Sequence, residues 1–435
     1  DLTINGGTVD LVYLAIGAGT GALSLDAGGN FLGFNAFEPI VVTSTVDTVS
    51  VVVLSAGNHD VNLSSPAPGV GLVEITGGLE SLEFGVPTNS FSLDLAMGDN
   101  NIVNIDLDPS FDSTVVLIDT DLGFDEVNIN SAVNTEVVVT IDGFGDAVNV
   151  GDGDLSEIGN VDLSGVNAVD ITVDNSNSTA DPTWNVNGTT GEIGVGMTAN
   201  VLIPQLATMN SLTLLGGSGD DLFDFTDPSA FLPATVTINA GGHNTGDSIV
   251  LGGSIVSTVT HLFTNNNDGS INLSDNNQTI SYTGLEPILD NLNTTSRVFT
   301  FTQTSNDIEL TQSPTSPGTH TIIDSSVNES VEFTSPSNSL TINLADGGTN
   351  TLTATSFATD YSPTVNISTI NGGDQNDTIN LEDNPANNAP FDWEIFGNAG
   401  DDTLNVSPVG RNLNPFGDDI LFDGGAGTND RLFVN

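Results

Sequence analysis

Residues 397–406, GNAGDDTLNV, combine a glycine-rich turn, a pair of aspartates and a short run in which polar and apolar residues alternate. Glycine permits the positive φ of a tight turn, and the alternation is typical of a strand with one buried face. The order of glycine-rich turn, acidic or amide residue and apolar strand start recurs along the chain. The aspartates at these turns are Asp99, Asp125, Asp146, Asp221, Asp247, Asp377, Asp402, Asp419 and Asp430.

The spacing of these aspartates predicts the fold. The step from Asp221 to Asp247 nearly equals the step from Asp377 to Asp402, and the gap from Asp247 to Asp377 fits five such steps. A parallel β-helix coil with three strands of about five residues needs roughly this length. We therefore expect an all-β, right-handed parallel β-helix (β-solenoid) with coils of about 25 residues, whose aspartate-bearing turns stack along one edge. The alternative is a row of tandem antiparallel β-sandwich domains.

Composition excludes several classes of protein. The chain has 435 residues, with 57 Asp and Glu against 3 Lys and Arg, and a formal net charge of −54. This charge repels nucleic acid and anionic membrane surfaces, and no apolar run is long enough for membrane insertion. There is no cysteine, so disulfides and thiolate metal sites are excluded. Hydrophobic residues make up 37%, which is too many for a disordered acidic chain.

Two stretches match a sharper pattern. Residues 216–224, GGSGDDLFD, fit G-G-x-G-x-D-x-U-x, where U is a large apolar residue, and residues 397–405 fit with Asn as the second residue. Residues 372–380 depart from the pattern at Gln375, and residues 241–247 and 424–430 share a form that is one residue longer. These five segments resemble the hemolysin-type, repeats-in-toxin calcium-binding nonapeptide and cover about a tenth of the chain.

The resemblance implies secretion from a bacterium or archaeon and a calcium-stabilised parallel β-roll. By motif position, Asp221, Asp377 and Asp402 would be side-chain ligands, and Gly217, Gly219 and Gly400 would lie at backbone-ligand positions. Members of that family place their nonapeptides in direct tandem, whereas here a whole predicted coil separates one motif from the next. The tandem roll is therefore not carried over.

Calcium chemistry fits stacked aspartates without the tandem arrangement. Calcium takes 6–8 oxygen ligands, and carboxylates on strands about 4.8 Å apart repel one another unless a cation lies between them. The other interpretation is an aspartate that only caps a turn by hydrogen bonds. The predicted calcium ligands are Gly217, Gly219, Asp220, Asp221, Asp247, Asp377, Gly400, Asp401, Asp402, Asp419 and Asp430.

We predict three segments along the chain. Residues 1–250 form a solenoid with Gly-Asp turns, residues 251–370 a Thr-, Ser- and Asn-rich β region with an exposed loop at 311–320, and residues 371–435 a calcium-repeat-like solenoid. Helix-forming residues are scarce, and the best helix candidates are single turns at Pro204 to Met209 and Glu286 to Leu292.

The sequence favours a structural role over catalysis. Gly-Asp-Asp at 219–221, 400–402 and 417–419 resembles a phrase of the polygalacturonase-like family, but that family's His-Gly and Arg-x-Lys phrases are missing. We predict that the chain is not an enzyme. We predict a secreted, extracellular, calcium-stabilised protein of a prokaryotic surface layer, filament or biofilm matrix, with partners among its own copies, other surface proteins or polysaccharide. The alternatives are an adhesin or carbohydrate-binding scaffold, a polysaccharide-degrading β-helix enzyme, or acidity that serves only as salt adaptation.

Overall fold

The computed structural model describes residues 2–4, 7–26, 30–35, 39–95, 100–119, 123–141, 145–196, 199–204, 206–228, 232–253, 255–360, 368–382, 392–407 and 419–434. The chain divides into two compact units, Asp1–Gly219 (unit 1) and Asp220–Asn435 (unit 2). These described ranges contain β-strands and short 3-10 turns but no α-helix, and none of their helical turns is long and apolar enough to cross a membrane. The predicted all-β class is confirmed.

In its described residues, unit 1 contains twenty strands. They are β1 (Leu2–Ile4), β2 (Val9–Gly17), β3 (Thr20–Ser24), β4 (Leu32–Asn35), β5 (Ile40–Val42), β6 (Val46–Val53), β7 (Asp60–Ala67), β8 (Val70–Ile75), β9 (Leu82–Gly85), β10 (Ser90–Leu95), β11 (Ile102–Leu107), β12 (Thr114–Asp119), β13 (Glu126–Ile141), β14 (Ala147–Val150), β15 (Ile158–Asp162), β16 (Asp170–Asp174), β17 (Thr183–Asn187), β18 (Glu192–Val195), β19 (Ala199–Leu202) and β20 (Ser211–Leu215). Two 3-10 turns lie at Leu155–Glu157 and Leu206–Thr208.

The part of unit 2 that the structure describes contains nineteen strands and a 3-10 turn at Ser274–Asn276. The strands are β21 (Leu222–Thr226), β22 (Thr235–Asn239), β23 (Asp247–Gly252), β24 (Ile255–Phe263), β25 (Asp268–Leu273), β26 (Gln278–Thr283), β27 (Leu285–Asp290), β28 (Asn293–Phe301), β29 (Asp307–Gln312), β30 (His320–Ser325), β31 (Val331–Thr334), β32 (Ser339–Asn343), β33 (Thr351–Ala354), β34 (Ser368–Asn371), β35 (Thr378–Leu381), β36 (Trp393–Phe396), β37 (Thr403–Val406), β38 (Ile420–Asp423) and β39 (Arg431–Val434).

Parallel strands stack coil upon coil into long rows. In unit 1, row A is β1–β5–β9, row B is β2–β6–β10–β12–β13–β15–β19, and row C is β7–β11–β13–β14–β16–β20. The long strand β13 serves both rows, through its first half in row C and its second half in row B. The predicted parallel solenoid is therefore confirmed within unit 1.

A coil without a meander contributes two strands rather than the predicted three. Between β14 and its parallel neighbour β16 the chain forms only β15, which belongs to the other row. The turns that join these short strands are longer than predicted and account for the rest of the coil. The coil length is close to the prediction, since stacked residues such as Asn380 and Asn405 lie 25 positions apart.

Unit 2 repeats this architecture with new rows. Row D is β21–β23–β27–β31, row E is β24–β28–β32–β34–β36–β38, and row F is β29–β33–β35–β37–β39. Strand β22 pairs with β26 in the same parallel manner. The parallel solenoid is thus found in unit 2 as well.

Three-stranded antiparallel meanders end one row and begin another. In unit 1, β8 lies antiparallel between β7, the first strand of row C, and β9, the last strand of row A. In unit 2, β24–β25–β26 and β29–β30–β31 are arranged in the same way. A coil that contains a meander is longer, so stacked residues such as Asn306 and Asn350 are 44 positions apart.

The meanders overturn the predicted single aspartate edge. Asp247 begins β23 of row D, whereas Asp377 precedes β35 of row F. The stretch between them therefore does not represent five equal coils on one edge. The helix candidate Glu286 to Leu292 is also wrong, because these residues largely form β27, and only Leu206–Thr208 of the other candidate makes a 3-10 turn. The 311–320 loop connects β29 to β30, and the three predicted segments stay a prediction.

Alternating residues build the core and the outer surface of each row. Inward positions are almost all Val, Ile, Leu or Phe and are buried. An outward column of asparagines in row C joins consecutive coils by side-chain amide bonds of 2.8–3.0 Å, from Asn104 to Asn62, Asn128 to Asn104 and Asn149 to Asn128. In such a column, each asparagine between the two ends both donates and accepts a side-chain hydrogen bond. The column therefore fixes the register in which the coils stack.

Unit 2 also buries a charged group at the start of row E. Arg297 on β28 is fully buried and pairs with the Asp290 carboxylate, to which the His261 ring nitrogen Nε2 is 2.9 Å away. The guanidinium also donates to the Leu292 carbonyl at 2.7 Å and to Thr334. Burial lowers the pKa of His261, so this ring is neutral near pH 7 and Arg297 supplies the charge that balances Asp290.

Removing Arg297 should leave an uncompensated buried carboxylate. We expect Arg297→Met to lower the free energy of unfolding by about 3–5 kcal/mol, the usual cost of breaking a buried pair. The double variant Arg297→Met/Asp290→Leu should recover most of that loss, because it removes both charges. Urea unfolding followed by circular dichroism measures the change. Arg431→Met, at an exposed arginine of β39, is the control and should be neutral.

Candidate functional site

Several of the predicted aspartates share one structural position, which we call the ladder position. They are Asp125, Asp146, Asp247, Asp377, Asp402 and Asp430. The ladder position directly precedes a strand of a parallel row, and its side chain accepts a hydrogen bond from the backbone amide of the ladder residue in the preceding coil. In row D the amide of Asp221 donates to Asp247 Oδ1 at 2.7 Å. Both residues are buried, at 1% and 0% exposure. The turn amides, which no strand partner would satisfy, are therefore paired.

Row F carries the longest ladder of unit 2. Its members are Asn306, Asn350, Asp377, Asp402 and Asp430. Each amide donates to the Oδ1 of the next member, at 3.2, 2.7, 2.8 and 3.0 Å. The ladder begins with two neutral amide side chains and continues with three carboxylates. The structure thus brings three predicted calcium ligands, Asp377, Asp402 and Asp430, into one column.

Unit 1 has its own ladder in row C. The amide of His59 donates to Asn101 Oδ1, that of Asn101 to Asp125 Oδ1 and that of Asp125 to Asp146 Oδ1, at 3.2, 2.8 and 3.1 Å. Asp146 is therefore one member of a ladder. Asp99 lies outside the described residues.

Asp402 differs from its neighbour in the ladder. The second oxygen of Asp377 accepts a hydrogen bond from the Gly373 amide at 2.7 Å. The equivalent residue one coil later is Asn398, which has φ +70° and directs its side-chain amide to the Gly372 carbonyl at 2.6 Å. Within the described part of the chain, Asp402 Oδ2 has no hydrogen-bond partner although the residue is fully buried.

The electrostatics of Asp402 follow from this difference. Burial raises the pKa of Asp402 to about 6, although the Asp377 amide favours the charged form, and the carboxylates of Asp377, Asp430 and Asp401 raise it further. Burial likewise raises the pKa of Asp377 and of Asp247. The inner carboxylates are therefore short of positive charge.

A glycine cradle surrounds the second oxygen of Asp402. A Cβ added to Gly397 would lie 2.3 Å from Asp402 Oδ2 and 2.7 Å from the Gly424 carbonyl oxygen. Only glycine fits there, and it leaves a carboxylate oxygen and a main-chain carbonyl on the same side of one Cα. Oxygens of these two kinds are the ones calcium prefers.

The first aspartate of each Asp-Asp pair has a different role. Asp220 accepts hydrogen bonds from the Asn244 and Thr245 amides, at 2.7 and 2.8 Å, and from the Thr245 hydroxyl. Asp401 accepts from the Thr428 and Asn429 amides, at 2.9 and 3.0 Å. Bonds to Thr245 and to Thr428 hold the pKa of Asp220 and of Asp401 below the usual range. These carboxylates cap the turn of the following coil, so both oxygens of Asp220 and Oδ1 of Asp401 already have partners.

Of the remaining predicted ligands, Gly217, Gly219 and Asp419 lie outside the carboxylate column. The Gly400 carbonyl lies beside it, since a Cβ added to Gly427 would be 2.1 Å from Gly400 O and 2.3 Å from Asp430 Oδ1. A Cβ on Gly217 or Gly219 would come within 2.3 or 2.0 Å of a backbone oxygen, from Ser178 or Ala180. Gly400, with φ +121°, is packed equally closely against Gln375. These glycines serve close stacking of turns. Asp419 is exposed before β38 of row E, and its amide donates to Asp392.

A metal at the column would need main-chain ligands. Over the ranges described above, no three His, Asp or Glu side chains converge closely enough to hold an ion together. Asp402 Oδ2 and the Gly424 carbonyl oxygen are the atoms best placed to serve as metal ligands. The predicted calcium ligand set, with its glycine and aspartate positions, stays a prediction.

Sequence reasoning missed an ordered outer surface on row F. Thr351, Thr378 and Thr403 stack in register, and Thr353, Asn380 and Asn405 form a second column beside them. The second column is joined by side-chain bonds of 3.1 and 2.8 Å. Its signal in the sequence was the repeated strand start TLTA, TINL and TLNV. A groove of about 430 Å³ adjoins both columns and is lined by Asp307, Ile308, Glu309, Asp324, Ser326, Thr351 and Thr353.

Substitutions at Asp402 should separate hydrogen bonding from charge. In chelator at pH 7.5 we expect unit 2 of Asp402→Ala to be about 1–3 kcal/mol less stable than that of Asp402→Asn. Both variants remove the buried charge, but only in alanine does the buried Asp377 amide lose its acceptor. Relative to the wild type, Asp402→Asn should stabilise unit 2 by about 1–3 kcal/mol, because the amide keeps the acceptor and removes an unneutralised buried charge. Thermal and urea unfolding measure both. Equal destabilisation by the two variants would contradict this assignment.

Comparison with known proteins adds no family to this geometry. No protein-family model matches the sequence, and no curated protein is significantly similar to it.

Proposed function

We propose that this chain is a secreted structural protein of a prokaryotic cell surface or extracellular matrix, stabilised by calcium. The observation that supports the proposal best is the column of Asp377, Asp402 and Asp430, in which one buried carboxylate oxygen faces a main-chain carbonyl in a cradle that only glycine can form. Asp377 and Asp402 are buried, whereas Asp430 is exposed. Stacked buried carboxylates carry a large electrostatic cost unless they are neutralised.

The composition explains why a cation is the expected source of neutralisation. The chain has no lysine and three arginines. Arg297 is bound to Asp290, and Arg431 lies on an exposed strand. Calcium would bind the folded column and not the unfolded chain, so it would stabilise the fold by mass action. In a calcium-poor cytoplasm the net charge of −54 would oppose compaction, and folding would be completed outside the cell.

The architecture suits a scaffold more than an enzyme. The sequence suggested polysaccharide hydrolysis because acidic pairs such as Asp220 and Asp221 could serve as acid and base. In the structure the two members differ, since Asp220 caps a turn and Asp221 is buried in a ladder. A general acid and base must both reach the substrate. We therefore propose a role without catalysis, with other copies of the chain or other surface proteins as partners.

Calcium dependence is tested by thermal unfolding of chelator-treated protein. We expect millimolar CaCl2 to raise the melting temperature of the wild type, since a ligand at about 100 times its Kd contributes about 2.7 kcal/mol. Asp402→Asn and Asp377→Asn should reduce the calcium response, whereas Asp307→Asn, at an exposed aspartate outside the ladder, should keep it.

Two outcomes would contradict the calcium proposal. One is a melting temperature that calcium does not change in the wild type. The other is stabilisation by molar NaCl that equals the effect of millimolar calcium, since that would assign the acidity to salt adaptation. Isothermal titration calorimetry of wild type and Asp402→Asn provides the independent measure of binding.

The outer surface of row F favours a second candidate, a carbohydrate-binding scaffold. The adjacent Thr and Asn columns and the groove beside them present hydroxyl, amide and carboxylate groups, which can exchange hydrogen bonds with sugar hydroxyls. Trp184 and Trp393, by contrast, are buried at 0% and 5% exposure and cannot stack on a sugar. We propose neutral polysaccharide as the ligand of this surface.

Affinity electrophoresis through gels that contain neutral polysaccharides tests this candidate. We expect retarded migration of the wild type and weaker retardation of Thr353→Val and Asn380→Val. A matched control is Thr237→Val, at an exposed threonine of β22 outside this surface. Migration that no polysaccharide alters would exclude a carbohydrate-binding role for row F.

A further inference from the structure

Glu329 is a fully buried acid that belongs to none of the ladders described above. It lies in the connection between β30 and β31, two residues before β31, and its exposure is 0%. Among the residues that the structure describes, neither of its carboxylate oxygens has a hydrogen bond of acceptable geometry. An ionised carboxylate in such surroundings costs several kcal/mol.

The groups around Glu329 make ionisation still less favourable. The charged residues that act on it are the carboxylates of Glu286, Asp268 and Asp324, on or beside β27, β25 and β30. The nearby Tyr282 of β26 is 2% exposed, and over the same described ranges its hydroxyl has no partner. These three charged groups are all acidic, and Arg297 is bound to Asp290.

Burial favours the neutral form of the Glu329 side chain. Burial, followed by repulsion from Glu286, raises the pKa of Glu329 to about 9, and the Ser330 amide offsets only part of this effect. Burial and the carboxylates of Glu329 and Asp268 also raise the pKa of Tyr282. The pair is therefore uncharged in neutral solution.

We propose that Glu329 is a proton-dependent latch of the β29–β31 meander. As an uncharged acid it permits β31 to close row D against β27 and to pair with β30. Loss of the proton places an unpaired charge at the base of β31 and loosens the meander. The placement of Glu329 supports a local effect, because β31 is a four-residue strand at the end of its row.

The direction of the pH dependence follows from linkage. The pKa of Glu329 rises from the ordinary value of 4.5 to about 9 on folding, so between these limits the folded state binds more protons than the unfolded state. The contribution of protonated Glu329 to the free energy of unfolding is fully present below the unfolded pKa. It falls as the pH rises toward 9, and above that pH it is lost and changes no further. Carboxylates that are paired with cations show the opposite trend, because their pKa falls on folding.

Glu329→Gln provides the test, because glutamine has nearly the same shape and never ionises. In chelator, we expect the unfolding equilibrium constant of the wild type, divided by that of the variant, to rise about tenfold per pH unit between roughly pH 5.5 and 8.5. Glu309→Gln is the matched control, since Glu309 lies in β29 of the same meander and is exposed. Its ratio to wild type should stay constant with pH.

Hydrogen exchange of the wild type tests the latch without a variant. We expect amides of β30 and β31 to lose protection first as the pH rises from 7 to 9.5, after correction for the intrinsic rate. A ratio for Glu329→Gln that does not change with pH, or protection that is lost evenly across unit 2, would overturn the proposal. Because both experiments are done in chelator, they fail or succeed independently of calcium binding.

Discussion

The hydrogen bond from a turn amide to the side chain of the next coil is the interaction on which this architecture depends. A parallel row satisfies the amides of its strands, but the turn residue just before each strand has no strand partner. An inward Asp or Asn in the next coil supplies the missing acceptor, as Asp402 does for Asp377 and Asp247 does for Asp221. Since a buried amide without an acceptor costs about 1–3 kcal/mol, each ladder residue is a condition for adding the next coil.

The ladder also explains why two aspartates follow one another at several turns. The inner member accepts from the coil before it, and the outer member accepts from the coil after it, as the pair Asp401 and Asp402 shows. Consecutive coils are therefore joined in both directions at one turn. The cost is electrostatic, because inner members stack in a column. Asparagine can perform the same task without charge, as at Asn350, so the choice of aspartate at Asp377 and Asp402 requires a reason beyond hydrogen bonding.

Local features of this fold were readable from the sequence, and long-range ones were not. The regular period of the Gly-Asp turns and the alternation in strands such as β37 follow from the chain itself, because neighbouring coils repeat the same chemistry. The assignment of an aspartate to a row was not readable, since a meander inserted between Asp247 and Asp377 moves the chain to a new row without changing the local pattern. The distinct environment of Asp402 depends on the positive φ of Asn398, and that of Glu329 on packing between strands distant in sequence.

The acidity of the chain therefore has at least three physical meanings. Exposed outer aspartates such as Asp220 are stabilised as anions by amide donors, so they favour the fold at neutral pH. Inner aspartates such as Asp402 are used as acceptors but lack full compensation of charge, so they favour the fold only when a proton or cation is present. Within the described ranges, Glu329 has neither well-aligned donors nor a cluster of cation ligands around it, so a proton is its source of neutralisation. A chain with three arginines has few internal cations for these groups, and we therefore expect its stability to follow the ions and the pH of its surroundings.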